Sequence, residues 1–378
     1  MLRLGFESAA KMKRLALALL AVIVTLSLVV VVRALRFSSR QITVTPAVAI
    51  HLDSAALLGR LSRAIQFRTL SSSNPERAGN GEFERFHDFL NESFPFAGAQ
   101  LKKEIIGGLS LLYSWPGQDS ALKPILLMAH MDVVAAADGN WRHPPFAGAI
   151  ADGYVWGRGA MDDMSSLMAI LEAVEHLLRD GFAPARTSYL AFGHDEEVGG
   201  HRGAAQIAEQ LRARAVKLEF ALDEGLNVVD GIIPGIASPV ALIGIAEKGY
   251  LSLRLTVETD GGHSSIPPAE TAIGIISRAL HRLEATPFPS RLNGPTRQML
   301  EFLGPEMNWP NKLVLANLWL FSPLVKKQMA RSPLTNAAIR TTLAPTLFTP
   351  GWRKTSCRPA PPRSSICGSC PATPSPPP

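Results

Sequence analysis

Four short stretches concentrate acids and histidine of the types that bind a cation and move a proton. "MAHMDVV" supplies His130 and Asp132, and "WGRGAMDDM" supplies Asp162 and Asp163. "LAFGHDEEVGG" sets Asp195, Glu196 and Glu197 side by side, and "LEFALDEG" ends on Asp223 and Glu224. Carboxylates gathered at one place repel one another unless a multivalent cation neutralises them. A mixture of imidazole and carboxylate suits zinc, and two zinc ions sharing a bridging carboxylate would use this many groups. Singly, each piece has a plainer reading. His130 alone would be a hydrogen-bonded edge histidine, Asp162 before a helix an N-cap with favourable dipole charge, and "DEEVGG" an exposed turn. The case for chemistry rests on all four together, at the ends of elements that converge.

Those elements can be read from hydrophobic pattern. "PILLMAHMDVV", "TSYLAFGHDEE" and "LEFALDEG" are apolar runs that empty into acids, as buried strands ending in loops do. Between them lie helical patterns, "MSSLMAILEAVEHLLRDG" with Gly181 as its stop and "RGAAQIAEQLRARA". "SAALLGRLSRAIQFRTL" and "EFERFHDFLNESF" are helical patterns upstream. Strand and helix in alternation indicate an α/β sheet with helices on its faces. In such sheets ligands gather at the carboxyl ends of the strands, where these acids fall.

From about residue 246 the texture changes. "GYLSLRLTVET" alternates like a half-exposed strand, and "TAIGIISRALHRLEAT" is an amphipathic helix. "NGPTRQMLEFLGPEMNWPNK" reads as irregular and "AIRTTLAPTLFTPG" as a strand, which together suggest a smaller α+β domain.

The net charge of +6 belongs to the two ends. Residues 1–40 and 351–378 hold eleven of the 38 Lys/Arg against one acid, so the body carries a small acidic excess and no case for nucleic acid remains. Residues 15–32, "LALALLAVIVTLSLVVVV", are eighteen without a charge, flanked by Lys11, Lys13, Arg14 and by Arg33, Arg36, Arg40. That length just spans a bilayer, and the run lacks the small-residue exit of a cleaved signal peptide. A single-pass signal-anchor is expected, N-terminus cytoplasmic and the rest extracytoplasmic. All three cysteines, Cys357, Cys367 and Cys370, fall in the last 22 residues, so no disulfide framework holds the body, and "CGSC" lacks the second half of a zinc knuckle.

In their order, "HMD", "WGRGAMDD", "GHDEEVGG", "LDEG" and "GGHSSIPP" resemble the co-catalytic dizinc peptidases that include aminoacylase, carnosinase and glutamate carboxypeptidase. The detail is most similar to the carboxypeptidase S-like, Gly-Xaa carboxypeptidase branch, from about Ala64 to Gly351. The resemblance implies an α/β catalytic domain with a mixed sheet flanked by helices, over 41–245. A smaller lid and dimerisation domain over 246–350 would follow, with residues 1–40 as the anchor. It also implies two zinc ions. His130 and Asp223 would bind the first, Glu197 the second, and Asp162 would bridge them. Asp132 would orient His130, Glu196 would be the general base acting on zinc-activated water, and His263 would help hold the substrate oxyanion, in dimeric members across the interface. The implied substrates are small peptides losing a C-terminal residue, or N-acyl amino acids. Met164 departs from the pattern, since relatives usually have Lys there.

Two further departures concern the far end. The lid domain should close and the chain return with a late histidine for the second zinc. Here residues 351–378 are instead Pro-rich and without acids. Allowed codons for this tail, read in another frame, can spell "VEENVLPARAAAVVNLRLLPGDS", which is similar to the family's continuation. The expectation is an out-of-frame tail, an incomplete lid and a second zinc site lacking its last ligand, with activity of this chain in doubt. A non-catalytic relative acting as a binding protein is the alternative. A one-metal aminopeptidase fits less well because it leaves Asp162 without a bridging task.

Overall fold

The computed structural model describes residues 2–42, 44–45, 50, 52–72, 81–137, 139–260, 263, 265–349 and 364–372. Two compact units emerge, Pro46–Gly225 and Met1–Thr45 with Leu226–Pro378. The first helix, α1, runs over Leu2–Arg36 and belongs to the second of these units.

Pro46–Gly225 contains α2 (Ser54–Ile65), α3 (Glu82–Ser93), α4 (Pro95–Gln100), β1 (Lys102–Ile106), β2 (Ser110–Trp115) and β3 (Ile125–His130). After them come β4 (Ala149–Ala151), β5 (Tyr154–Trp156), α5 (Met164–Arg179), β6 (Ser188–Gly193), α6 (Ala204–Ala213) and β7 (Phe220–Leu222). Five strands form one mixed sheet in the order β1-β2-β6-β3-β7. β3 lies parallel to β6 and β7, while β1, β2 and β6 are joined antiparallel. The fold class read from the sequence is the one observed, although the β1–β2 pair was not among the expected strands.

Strand alternation divides the core. Leu111, Tyr113, Leu190 and Phe192 face α3 and α5, where Phe83, Phe86, Phe89, Leu167 and Leu171 cover them. Their neighbours Leu112 and Ala191 turn to the other face, against Ile207 and Leu211 of α6. With both faces covered, the strands read as near-continuous apolar runs. β7 is an edge strand, and its Phe220 and Leu222 are exposed. α5 stops where expected, with Gly181 at φ 72°, a conformation that a residue with a Cβ adopts only with strain.

His87 on α3 is buried in this core, and its Nε2 has no hydrogen-bond partner among the described residues. Burial, with Lys103 nearby, holds it below the ordinary histidine range. The unfolded chain therefore takes up the proton first as pH falls. Stability should decline once pH drops through about 6.5 and level off below the depressed folded value. Urea midpoints measured against pH should show a shallower acid decline in His87→Leu.

The second unit continues with β8 (Val228–Val229), β9 (Val240–Ala241), β10 (Gly249–Val257), α7 (Ala272–Ala285), α8 (Gly294–Leu303) and α9 (Trp309–Ala316). α10 (Leu318–Met329), α11 (Pro333–Ile339), β11 (Ala344–Thr349) and β12 (Ser364–Ala372) complete it. The stretch read as irregular is mostly helical, in α8 and α9. Pro295 and Pro310 sit in the first turns of these helices, where the missing N–H would be unpaired in any case. The strand expected over 338–351 is confined to β11, because α11 takes its first residues. Part of the tail, described in its backbone, forms β12 between β10 and β11, antiparallel to both.

Candidate metal centre

Three strand ends of the Pro46–Gly225 sheet carry the acids. His130 closes β3 and is 2 % exposed. Its Nδ1 donates to the Asp132 carbonyl at 2.8 Å, a shorter contact than the 3.4 Å to the Asp132 carboxylate. That bond fixes the tautomer and leaves Nε2 as the nitrogen free to bind a cation. Around Nε2 stand Asp162 Oδ1 at 2.9 Å, Glu224 Oε2 at 3.4 Å and Glu196 Oε2 at 3.9 Å. Among the described residues, two groups bring ligand atoms within 4.8 Å of one another. They are His130 with Asp162 and Glu197, and His130 with Glu196 and Glu224.

The electrostatics are those of a nest short of positive charge. Burial opposes a charged His130 ring, yet Asp132 and Glu224 outweigh it and push the imidazole up to about 12. Without a divalent ion, a proton on this ring is the cation of the site. Burial pushes Glu196 up to about 7, with His130 offsetting and Glu224, Asp132 and Glu197 adding to the rise. Glu197 is raised by burial and then by Asp162. Burial also lifts Asp163 to about 6, and its Oδ1 is buried without a hydrogen-bond partner among the described residues. One imidazole nitrogen among several carboxylates is a donor set that fits zinc.

The crowding in "GHDEEVGG" resolves into three directions. Glu196 and Glu197 lie on a short 3-10 turn, Glu196–Val198, after β6. Their backbone N–H groups donate to the fully buried Asp132 carboxylate at 3.0 and 3.1 Å, and Ser71 Oγ donates to it at 2.9 Å. Asp132 thus grips the turn that presents both glutamates, besides its contact with His130. Asp195 points away, accepting from Arg202 N and Gly203 N, each at 2.8 Å. Gly199 and Gly200 follow with φ of 102° and 64°, left-handed values that let the chain turn back under Asp195. A Cβ on Gly203 would come within 2.6 Å of Asp195 Oδ1 and 2.7 Å of Ser110 Oγ. Gly203→Ala should therefore destabilise the fold by about 1–3 kcal/mol, the usual range for overpacking, as read from urea denaturation.

Not every expected residue joins the cluster in the same way. Asp223 lines a cavity of about 120 Å³ together with His130 and Glu196, but lies outside both close groups. The acid of that pair beside His130 Nε2 is its neighbour Glu224, to which the family resemblance gives no role. "LDEG" offered two adjacent acids, and nothing local says which one turns inward after β7. His263 belongs to the other unit, where its Nδ1 accepts from Ser265 N at 3.2 Å.

A mixed sheet with imidazole and carboxylates at its strand ends defines an α/β fold with a candidate metal centre. Residues 126–307 match Peptidase family M20/M25/M40, and the chain belongs to that family. It is 44% identical over 298 residues to the N-fatty-acyl-amino acid synthase/hydrolase of Xenopus tropicalis, covering 78% of this chain and 58% of that protein. It is 43% identical over 335 residues to the probable carboxypeptidase S-like 2 of Dictyostelium discoideum, covering 86% and 64%. The chain thus spans about three-fifths of the length of these curated relatives. Human carnosine dipeptidase 1 has a similar fold, at TM-score 0.54 and 14% identity, covering 85% of this chain and 70% of that one.

Proposed function

We propose that this chain is a dizinc amidohydrolase that cleaves N-acyl amino acids or removes the C-terminal residue of small peptides, working from a membrane anchor. The observation that carries the reading is the convergence of Asp162, Glu196, Glu197 and Glu224 around His130, more carboxylates than one ion needs, with Glu196 and Glu197 adjacent on one turn. His130 and the Asp223–Glu224 pair would hold one ion and Glu197 the other, with Asp162 between them. The ions would lower the pKa of water and polarise the amide carbonyl. Glu196 takes the proton of the attacking water and delivers it to the leaving amine, while Glu197 stays fixed as a ligand. This division of labour is what requires the two glutamates to be neighbours.

The substrate classes are supported by the names of the relatives, an N-fatty-acyl-amino acid synthase/hydrolase and carboxypeptidase S-like proteins. We read residues 41–245 as the catalytic domain and 246–350 as a lid carrying His263. The anchor is supported by the apolar helix segment Met12–Arg36. Its length and position would also suit a signal sequence, and retention in the mature protein belongs to the proposal.

The test is metal analysis of the purified full chain beside turnover of N-acyl amino acids and Gly-Xaa dipeptides. Two zinc ions and hydrolysis of one class are expected, with activity lost to a chelator and restored by zinc. Two ions without turnover on either class would replace this reading with a binding role.

A further inference from the structure

We propose that the outer face of α10 is a contact surface for an anionic phospholipid bilayer, held at the membrane by the docked end of α1. This rests on reading α1 as membrane-spanning.

Most of α1 is open, with Leu15, Leu17, Leu19, Val22 and Leu28 all exposed, but one face of its last turns is covered. Val30 is 8 % exposed and Ala34 is fully buried. Asn317, also fully buried, donates its Nδ2 to the Val30 carbonyl at 2.9 Å, and to the Leu313 carbonyl of α9 at 2.9 Å. Arg33 Nε donates to the Ala316 carbonyl at 3.3 Å. Phe37 lies so close to Gly304 that a Cβ there would come within 2.5 Å of its ring. A tether would make none of these contacts. The end of α1 is built into the helices of its own unit.

That docking sets a depth. Val30 lies three residues inside Arg33, about 4.5 Å along the helix axis into the apolar segment. Asn317 holds the Val30 carbonyl and immediately precedes α10, so the first turn of α10 lies beside the apolar segment. The exposed residues of the first two turns of α10 are Trp319, Leu320, Pro323 and Leu324. They form two i, i+4 pairs on one side, while Val325 and Met329 pack inward with Leu300 and Ile339. An outward face of this kind, with no polar side chain over four positions, marks an interaction surface rather than a solvated one. Its surroundings select lipid. Trp319 is the residue type enriched at bilayer interfaces, and Lys326 and Lys327 close the helix where anionic headgroups would lie.

The six tryptophans include none in α1, so lipid-borne quenching reports on the body of the protein. The full chain is reconstituted into phosphatidylcholine–phosphatidylglycerol vesicles whose acyl chains are brominated near the headgroup. Part of the tryptophan emission should be quenched. Trp319→Phe should remove most of that quenching, and Leu324→Glu should reduce it, while both variants still float with the vesicles. Quenching unchanged by Trp319→Phe overturns the proposal, as does a floating chain with no quenching. If Leu324→Glu instead dissolves a dimer, the face belongs to a second copy and the lipid proposal falls. A chain that does not float refutes the anchor, and this surface with it.

Discussion

Glu196→Gln is expected to leave zinc content unchanged while lowering kcat on an amide substrate by about 10²–10⁴-fold, the usual contribution of a positioned general base. The carboxylate stands 3.9 Å from His130 Nε2, on a turn whose N–H groups are gripped by Asp132. Glutamine keeps that backbone and that shape but cannot accept the proton. Glu197→Gln is the contrast. If Glu197 is the proposed ligand, this variant should lose metal and activity together, so metal analysis and steady-state kinetics on the two neighbours separate their roles. The pH profile follows the same logic. Burial lifts Glu196 to about 7 without a metal, and cations at the site would bring it down from there. In its proposed role as base the Glu196 carboxylate works only when deprotonated, so kcat/KM should fall as pH drops through a value between 4.5 and about 7. That acid limb should vanish from whatever activity Glu196→Gln retains.

The parts of the site that could be read beforehand are local, and the parts that could not are relations between distant residues. An apolar strand ending in acids is a local pattern, and β3, β6 and β7 were legible from it. Asp195 could not be placed, because its partners Arg202 and Gly203 lie beyond the turn it closes. The grip of Asp132 on Glu196 and Glu197 joins positions more than sixty residues apart, which no spacing rule reports. β2 escaped notice for another reason. Its pattern SLLYSW is buried almost throughout, so it lacks the alternation that marks a half-buried strand. α8 and α9 were obscured by prolines that mark helix starts as readily as breaks. The burial of Ala34 and the bond from Asn317 to α1 likewise depend on tertiary docking, about which the apolar run itself says nothing.

Asp132→Asn should be the more revealing variant, because this one carboxylate serves both glutamates. It is fully buried and accepts from Glu196 N, Glu197 N and Ser71 Oγ. Burial works against its charge, but His130, Ser71 and the Glu196 N–H more than compensate and keep it below the ordinary aspartate range. Its stabilising contribution is accordingly present above the unfolded-state value of about 3.8 and lost as pH falls through the depressed folded one. Asparagine offers one acceptor oxygen where the carboxylate offers two, and turns an NH₂ toward N–H donors. Each hydrogen bond to a charged group contributes about 1.5–3 kcal/mol, so Asp132→Asn should lose stability on that order, measured by urea denaturation of the metal-free chain. Loss of a group that orients metal ligands typically costs about 10–100-fold in metal affinity or activity. Here both should fall, since Glu196 and Glu197 hang from the same two oxygens, whereas Glu196→Gln lowers kcat alone. If Asp132→Asn lowered kcat with zinc affinity and stability intact, Asp132 would not be what holds the turn, and its contact with His130 would be its whole contribution.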